Sequence, residues 1–200
     1  MKTVIINILN NVTMKKIWII AFIGLTVIAQ AYGQTNTTEQ ANEKTGIIYE
    51  NTVYRFKATI PGSWRLHGHV INDTRYNMAI ADWGLPKVYS EVEKTEIENS
   101  VSIVAYRRKE INSVDRLIQF EYERYKGNSP TSKIILEEDK TSPNARILNI
   151  TQSTGIQFKG KWYIYFQNDI GYVIAFMATP GTYEKNLNVF EEFHENVELY

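Results

Sequence analysis

The sequence contains no cysteine. Disulfide bonds, thiolate metal sites, a cysteine nucleophile and a lipid attached at a lipoprotein cysteine are therefore excluded. An excess of charge of either sign is missing as well, because 22 lysine and arginine residues balance 22 aspartate and glutamate residues. Nucleic acids and anionic membranes are bound through clustered positive charge, so we expect neither as a partner.

Long apolar runs are also missing, and the most apolar stretch lies near the start of the chain. Residues 17–28 are almost wholly apolar and follow a pair of lysines. About twelve residues at a rise of 1.5 Å each fall short of a hydrocarbon core of roughly 30 Å. Alanines follow at positions 29 and 31, the two positions that a signal peptidase reads, and residues 31–33 offer a second such site. We expect residues 1–33 to be an N-terminal extension with a secretion signal, and no stable membrane insertion after cleavage.

The rest of the chain divides by composition. Residues 34–46 are rich in Thr, Asn, Gln and Glu without apolar periodicity, which predicts a flexible leader. Residues 47–200 are long enough to bury a core of their own. We therefore expect one domain there and a periplasmic or extracellular location for the mature protein.

Apolar patterns predict an antiparallel sheet. Residues 53–60 alternate between apolar and polar side chains, which is typical of a strand with one face in the core. Residues 146–158, 161–167 and 172–178 are also strand-like, and the short gaps between them, Lys-Gly and Asn-Asp-Ile-Gly, predict hairpins. Both faces of 172–178 are apolar, so we expect that strand to be central and covered on both sides.

Two helices are predicted beside this sheet. Ser113 is placed to cap the first helix and Gly127 to end it, and Thr182 is placed to cap the second. We interpret residues 67–99 as an irregular loop region that holds one short strand at most. The expected fold class is α+β, an antiparallel sheet covered by helices.

Two segments of the sequence carry a resemblance to a known family. Residues 54–64 read YRFKATIPGSW, and residues 172–180 read YVIAFMATP and are followed by YEKNL at 183–187. An exported chain with this opening strand, a middle helix, an antiparallel meander and a closing helix resembles the PsbP-like group. That group shares its α/β/α sandwich with Mog-type Ran-binding proteins. The resemblance covers roughly residues 47–200.

This resemblance implies a PsbP-like α/β/α sandwich and a non-enzymatic protein that binds or helps to assemble a larger partner. It transfers no catalytic residue, because the group has no shared catalytic motif. The signal is bacterial in type rather than chloroplast-like, so the photosystem role of the plant proteins is not carried over.

Metal chemistry is one alternative. His67 and His69 are two residues apart and are predicted to point to the same side of a strand, where Asp73 could add a carboxylate. Zinc accepts such nitrogen and oxygen donors, which would make the protein a small metal-dependent hydrolase. An H-x-H pair alone is a weak signal, since a site also needs outer hydrogen bonds that orient its ligands. The third histidine, His194, is expected to face solvent.

Other catalytic patterns are missing from the sequence. It has no G-x-S-x-G elbow and no glycine-rich phosphate loop, so we expect no cofactor and no enzyme activity. The acidic residues from Glu91 to Glu98 alternate with other residues and are interpreted as a solvated edge rather than as paired catalytic acids.

Aromatic residues offer the more specific hypothesis. Trp83, Tyr76 and Tyr89 lie in the segment interpreted as irregular, and loops with such residues are frequent binding surfaces. The competing interpretation is that Trp83 fills the edge of the core. The leading functional hypothesis is an exported, non-catalytic binding or assembly module for an unknown protein or small ligand. A carrier of a small apolar ligand, held between sheet and helix, is a further alternative.

Overall fold

A computed structural model describes residues 46–200 apart from residues 129, 141, 153 and 154. The expected signal, 1–33, lies outside the described residues, as does the expected leader apart from its last residue, Gly46. The described residues form twelve strands and two helices, which confirms the α+β class. Neither of these two helices is long and apolar enough to cross a membrane.

The elements follow one another with mostly short connections. The helices are α1 (Val114–Asn128) and α2 (Pro180–Glu195). The strands are β1 (Ile47–Asn51), β2 (Phe56–Ile60), β3 (Arg65–Asp73), β4 (Met78–Gly84), β5 (Val88–Ser90), β6 (Thr95–Ile97), β7 (Ser100–Tyr106), β8 (Lys133–Glu138), β9 (Ala145–Thr151), β10 (Gln157–Gln167), β11 (Ile170–Ala178) and β12 (Val197–Leu199).

Seven strands make the main sheet, in the order β3-β4-β7-β11-β10-β9-β8, with every neighbouring pair antiparallel. β1, β2 and β12 form a smaller sheet, and β5 and β6 form a separate hairpin. The turn from β10 to β11 uses Asn168 and Asp169, whose φ angles are 51° and 59°. Asn and Asp tolerate this left-handed region, so the predicted hairpin is confirmed with a tight two-residue turn.

Helices cover both faces of the main sheet. Phe176 on β11 contacts Phe190 of α2, with ring centroids 5.4 Å apart. Its neighbour Ala175 points to the other face and lies opposite Trp162, which contacts Tyr125 of α1 at 5.2 Å. All nine residues of β11 are buried. The prediction of a central strand covered on both sides is therefore confirmed.

The interpretation of residues 67–99 as irregular was wrong, because β4, β5, β6 and most of β3 lie there. β4 turns Ala79, Ala81 and Trp83 to the core, and the small alanines give a weak apolar signal. β3 is an edge strand with mostly exposed side chains and two register shifts, so regular alternation is lost.

Other boundaries also differ from the prediction. The strand expected at 53–60 begins only at Phe56, because a turn that includes Arg55 at φ 52° precedes it. The strand expected at 146–158 ends at Thr151, and the Lys-Gly pair expected to be a turn lies inside β10. Gly160 marks close packing instead, since an added Cβ would lie 2.8 Å from the Phe176 carbonyl oxygen and would contact the Met177 sulfur.

The predicted N-cap is confirmed for α1 but is wrong for α2. Ser113 precedes α1, and its Oγ accepts a hydrogen bond from the Arg116 N–H at 3.2 Å, as predicted. Thr182 lies inside α2 rather than at its N-cap, because the helix already begins at Pro180, which is well suited to a first turn. The buried Thr182 hydroxyl donates to Asn99 Oδ1 at 2.9 Å and so ties α2 to the segment before β7.

Candidate functional site

A polar cluster lies at the β3 edge of the main sheet and includes one of the residues singled out from the sequence. His67 sits at the first register shift of β3, between Leu66 and Gly68. Its Nδ1 lies 3.4 Å from Asp82 Oδ2, and its Nε2 lies 2.9 Å from Glu98 Oε1. The bulge turns the imidazole toward β4, where it lies between two carboxylates.

Arg65 completes the cluster, which we call the His67 cluster (Arg65, His67, Asp82 and Glu98). Its Nη2 lies 2.9 Å from Glu98 Oε2, so Glu98 is paired with two cationic groups at once. Gly84 leaves the room for this arrangement, because a Cβ at that position would collide with Glu98 Oε1 and His67 Nε2. β4 thus supplies the Asp82 carboxylate that contacts the imidazole, and its Gly84 leaves the space in which the imidazole lies.

Hydrogen bonds and burial shift the pKa values of the cluster in opposite directions. The hydrogen bond to Asp82 raises the pKa of His67, burial opposes this, and the bond to Glu98 adds to the increase. Burial alone would raise the pKa of Glu98, but the hydrogen bonds from His67 and Arg65 together lower it. Burial raises the pKa of Asp82 despite its contact with His67. The arrangement therefore favours a protonated imidazolium held between acidic groups.

The metal site considered from the sequence is not assembled. His67 and His69 do not share a side of the strand, because the bulge turns His67 toward Asp82 while His69 lies beside the Tyr49 ring at 6.1 Å. Asp73 lies beyond the second register shift and pairs with Arg75 at 3.2 Å. Within the described part of the chain, no three His, Asp or Glu side chains are placed to share a metal ion.

The three aromatic candidates have different positions. Trp83 is only 3% exposed and packs edge-on against Tyr49 at 5.3 Å, so it occupies the core as the competing interpretation expected. Tyr76, in the β3–β4 turn, is 45% exposed, and Tyr89, on β5, is 46% exposed. Of the three, only the two tyrosines are exposed to solvent.

Sequence reasoning missed a second polar network, on the α2 face of β10. Lys161 is 7% exposed, and its Nζ lies 2.7 Å from Glu191 and 2.9 Å from Asp139. The Tyr163 hydroxyl donates to Glu191 at 2.6 Å. Lys161 and Tyr163 are two residues apart and lie on the same face of β10. A lysine within a strand of mostly aromatic and apolar residues was the sequence signal that could have indicated this network.

His194 belongs to this network and does not face solvent as expected. Its ring stacks on Tyr163 at 3.4 Å, and its Nε2 lies 2.7 Å from the Tyr165 hydroxyl. Burial lowers the pKa of His194, and the charge of Glu191 opposes this only in part. The position of Glu98 also corrects the expectation of a uniformly solvated acidic edge, since Glu98 is bound within the His67 cluster.

The described residues define an α+β sandwich, an antiparallel sheet between helices. No protein-family model matches the chain, and no curated protein matches it. Among solved structures, the chain is similar to cyanobacterial PsbP (CyanoP) from Synechocystis sp. PCC 6803, with a TM-score of 0.47, 8% identity, and coverage of 84% of this chain and 100% of that one.

Two further structures show similarity of the same order. A protein of unknown function from Pseudomonas aeruginosa has a TM-score of 0.44 and 12% identity, with coverage of 74% of this chain and 92% of that chain. A protein from Bacteroides thetaiotaomicron has a TM-score of 0.41 and 13% identity, with coverage of 80% of this chain and 49% of that chain.

Proposed function

We propose that this protein is an exported, non-catalytic binding or assembly module whose partner contacts the β5–β6 hairpin. The observation that carries this proposal is the exposure of two apolar side chains there. Val92, at the tip between the strands, is 72% exposed, and Tyr89 is 46% exposed. Tyrosine is enriched among the residues that dominate binding energy at protein interfaces.

The hairpin is fixed to the domain rather than free at its surface. The Lys185 ammonium of α2 donates to the Tyr89 carbonyl oxygen at 2.7 Å. Gly181 lies so close that a Cβ there would contact the Ser90 hydroxyl and lie 3.1 Å from Val92. A preorganised surface loses little conformational entropy when it binds, which favours recognition at this place.

Charged residues surround the apolar tip. Glu91 and Lys94 form an exposed ion pair at 3.3 Å on either side of it. An apolar centre with a polar rim is the usual composition of a protein–protein interface. The partner expected here is therefore another protein with an apolar depression bordered by polar groups.

The polar groups of the His67 cluster support the non-catalytic part of the proposal. Nδ1 of His67 lies 3.4 Å from the Asp82 carboxylate and Nε2 lies 2.9 Å from the Glu98 carboxylate, so neither ring nitrogen is directed at a substrate in this arrangement. The hydrolase alternative needed His67, His69 and Asp73 together, and these residues have separate neighbours.

The carrier alternative has one feature in its favour. A groove of about 520 Å³ lies between α1 and β8, with Ile118, Tyr122, Ile134 and Leu136 in its lining. Small-ligand sites bury most of their ligand within the protein, whereas this groove opens along the edge of the sheet. A macromolecular occupant suits that shape better.

Site-specific photo-crosslinking in the producing cells tests the proposed binding surface. A photo-reactive phenylalanine analogue replaces Tyr89, and in a matched control it replaces Tyr200, which is 45% exposed at the end of the chain. We expect one defined adduct from position 89 and none from position 200. The same adducts from both positions, or none from position 89, would refute the hairpin as the contact surface.

Export is tested separately. The intact mass of the protein recovered from the cell envelope or medium is expected to lack the first 31 to 33 residues, in agreement with cleavage after either small-residue site. Recovery of an uncleaved chain from the cytoplasm would contradict export and leave the crosslinking result unaffected.

A further inference from the structure

The two edges of the main sheet are protected to different degrees. β3 has register shifts between Leu66 and Gly68 and between Val70 and Asp73. The Asn51 side chain also donates to the Ile71 carbonyl oxygen on this edge at 2.9 Å. Bulges and local caps of this kind prevent another strand from pairing with an edge.

β8, at the opposite edge, has none of these protections. It pairs with β9 without a register shift, from Lys133 opposite Thr151 to Glu138 opposite Arg146. Its sequence, KIILEE, contains no proline or glycine. Within the part of the chain that the structure describes, its outer edge pairs with no strand. A regular, open edge of this kind is able to accept a further strand.

Apolar side chains accompany this open edge on both faces of the sheet. Ile134 and Leu136 line the groove of about 520 Å³ beneath α1, together with Ile118 and Tyr122. Ile135, which also borders the groove, lies between them in the strand, and strand alternation directs its 39% exposed side chain to the other face. A strand added to β8 would bury apolar surface on both sides of the sheet.

We propose that β8 pairs antiparallel with β8 of a second copy of this chain, about a two-fold axis at Ile135. In that register Ile135 lies opposite Ile135 of the other copy, Ile134 opposite Leu136, and Lys133 opposite Glu137. Each apolar residue thus meets an apolar residue, and each lysine meets a glutamate. A two-fold axis repeats each of these contacts, so residues 133–137 of β8 are complementary to the same five residues of the second copy.

Neighbouring registers lack this complementarity. An axis at Leu136 would place Ile134 opposite Glu138 and Ile135 opposite Glu137. An axis at Ile134 would place Lys133 opposite Ile135. Sliding one strand by a single residue would place residues opposite one another whose side chains lie on different faces of the sheet, which a continuous sheet does not allow. The pairing centred on Ile135 is therefore the one that the side chains of β8 favour.

The groove gives the second copy further apolar contacts. A two-fold axis perpendicular to the sheet keeps both α1 helices on the same face. The two grooves then join across the new strand pair, so that Leu136 of one copy lies beside Ile134 of the other. The result is one sheet of fourteen strands with an apolar seam at its centre.

Sedimentation of the purified protein tests this proposal. We expect a concentration-dependent monomer–dimer equilibrium that Ile135→Asp shifts to monomer, since two carboxylates would meet at the axis. Val189→Asp is the matched control, because Val189 is 37% exposed on α2 and lies away from β8. Circular dichroism establishes that each variant is folded. A wild-type protein that remains monomeric at 100 μM, or a dimer that Ile135→Asp leaves intact, would overturn the proposal.

Charge reversal tests the register. Lys133→Glu and Glu137→Lys each place like charges opposite one another twice, so we expect each to weaken the dimer about tenfold. The double variant Lys133→Glu/Glu137→Lys is expected to restore it. The absence of native cysteine adds a direct readout, since Ile135→Cys should form an intermolecular disulfide on mild oxidation and Val189→Cys should not. Failure of the double variant to restore the dimer, or equal crosslinking at both positions, would contradict this register.

Discussion

The Lys161 ammonium on β10 lies 2.7 Å from the Glu191 carboxylate on α2, and both groups lie at the boundary between the sheet and the helix. Asp139, which follows β8, approaches the same ammonium at 2.9 Å. Burial alone would lower the pKa of Lys161, but the hydrogen bonds to Glu191 and Asp139 together raise it. One buried cation thus joins three separate parts of the chain.

Removal of this cation is expected to destabilise the fold strongly. Lys161→Ala leaves two carboxylates near one another without their partner, and a broken buried ion pair costs about 3 kcal/mol or more. Lys159→Ala, on the same strand, is the control, because Lys159 pairs with a Glu184 side chain that is 72% exposed, and such a pair is worth at most about 1 kcal/mol. Urea denaturation measures both free energies of unfolding. Equal losses in the two variants would show that Lys161 does not have this connecting role.

Substitution of Trp83 is expected to lower the free energy of unfolding, whereas substitution of Tyr89 is expected to leave it nearly unchanged. Trp83→Ala removes a buried ring that packs on Tyr49 and Phe193, which costs about 3–5 kcal/mol. Tyr89→Ala removes a half-exposed ring and is expected to change the free energy of unfolding by less than about 0.5 kcal/mol. Chemical denaturation compares the two variants. A large loss of stability in Tyr89→Ala would assign the hairpin tyrosine to the fold rather than to a binding surface.

The protonation of His67 and His194 is expected to have opposite effects on stability. The folded pKa of His67 is raised above the ordinary value of about 6.5, so its stabilising contribution is complete below that pH and is lost as the pH rises through the folded pKa. The folded pKa of His194 is lowered by burial, so its contribution is present above pH 6.5 and is lost as the pH falls through the folded pKa.

NMR titration of the imidazole resonances measures this difference directly. His67→Gln and His194→Gln assign the two signals, and the midpoints are expected to lie above and below about 6.5 respectively. If both residues titrate at the ordinary value, the contacts of His67 with its carboxylates and of His194 with Tyr163 do not persist in solution.

The centre of the main sheet could be predicted from the sequence, because residues 172–178 are apolar on both faces. The strand expected there is β11, which the structure extends back to Ile170, and the expected four-residue gap is a two-residue Asn-Asp turn. β3 and β4 could not be predicted in the same way. The apolar face of β4 includes two alanines, and the bulges of β3 interrupt its alternation, so the residue spacing no longer indicates which side a residue occupies.

The contacts of the candidate site could not be predicted from residue spacing either. His67 was singled out from the sequence as a metal ligand, whereas the groups it contacts, Asp82 and Glu98, are 15 and 31 positions away and are brought to it by strand pairing. Spacing within one strand suggested His69 instead, and the bulge at His67 turns the two side chains apart. Local patterns predict neighbours only while the strand remains regular.

Gly84 is expected to control the geometry of the His67 cluster. A Cβ at this position would collide with the ends of the His67 and Glu98 side chains, whereas a Cβ at Gly68, on the adjacent strand, would meet no atom within 4 Å. Gly84→Ala should therefore separate the imidazole from Glu98 and return the pKa of His67 toward about 6.5, and Gly68→Ala should leave it raised. Imidazole titration by NMR in both variants checks this, with circular dichroism to establish that each is folded. An unchanged His67 pKa in Gly84→Ala would mean that the contact with Asp82 alone maintains the protonated imidazole and that Glu98 is dispensable.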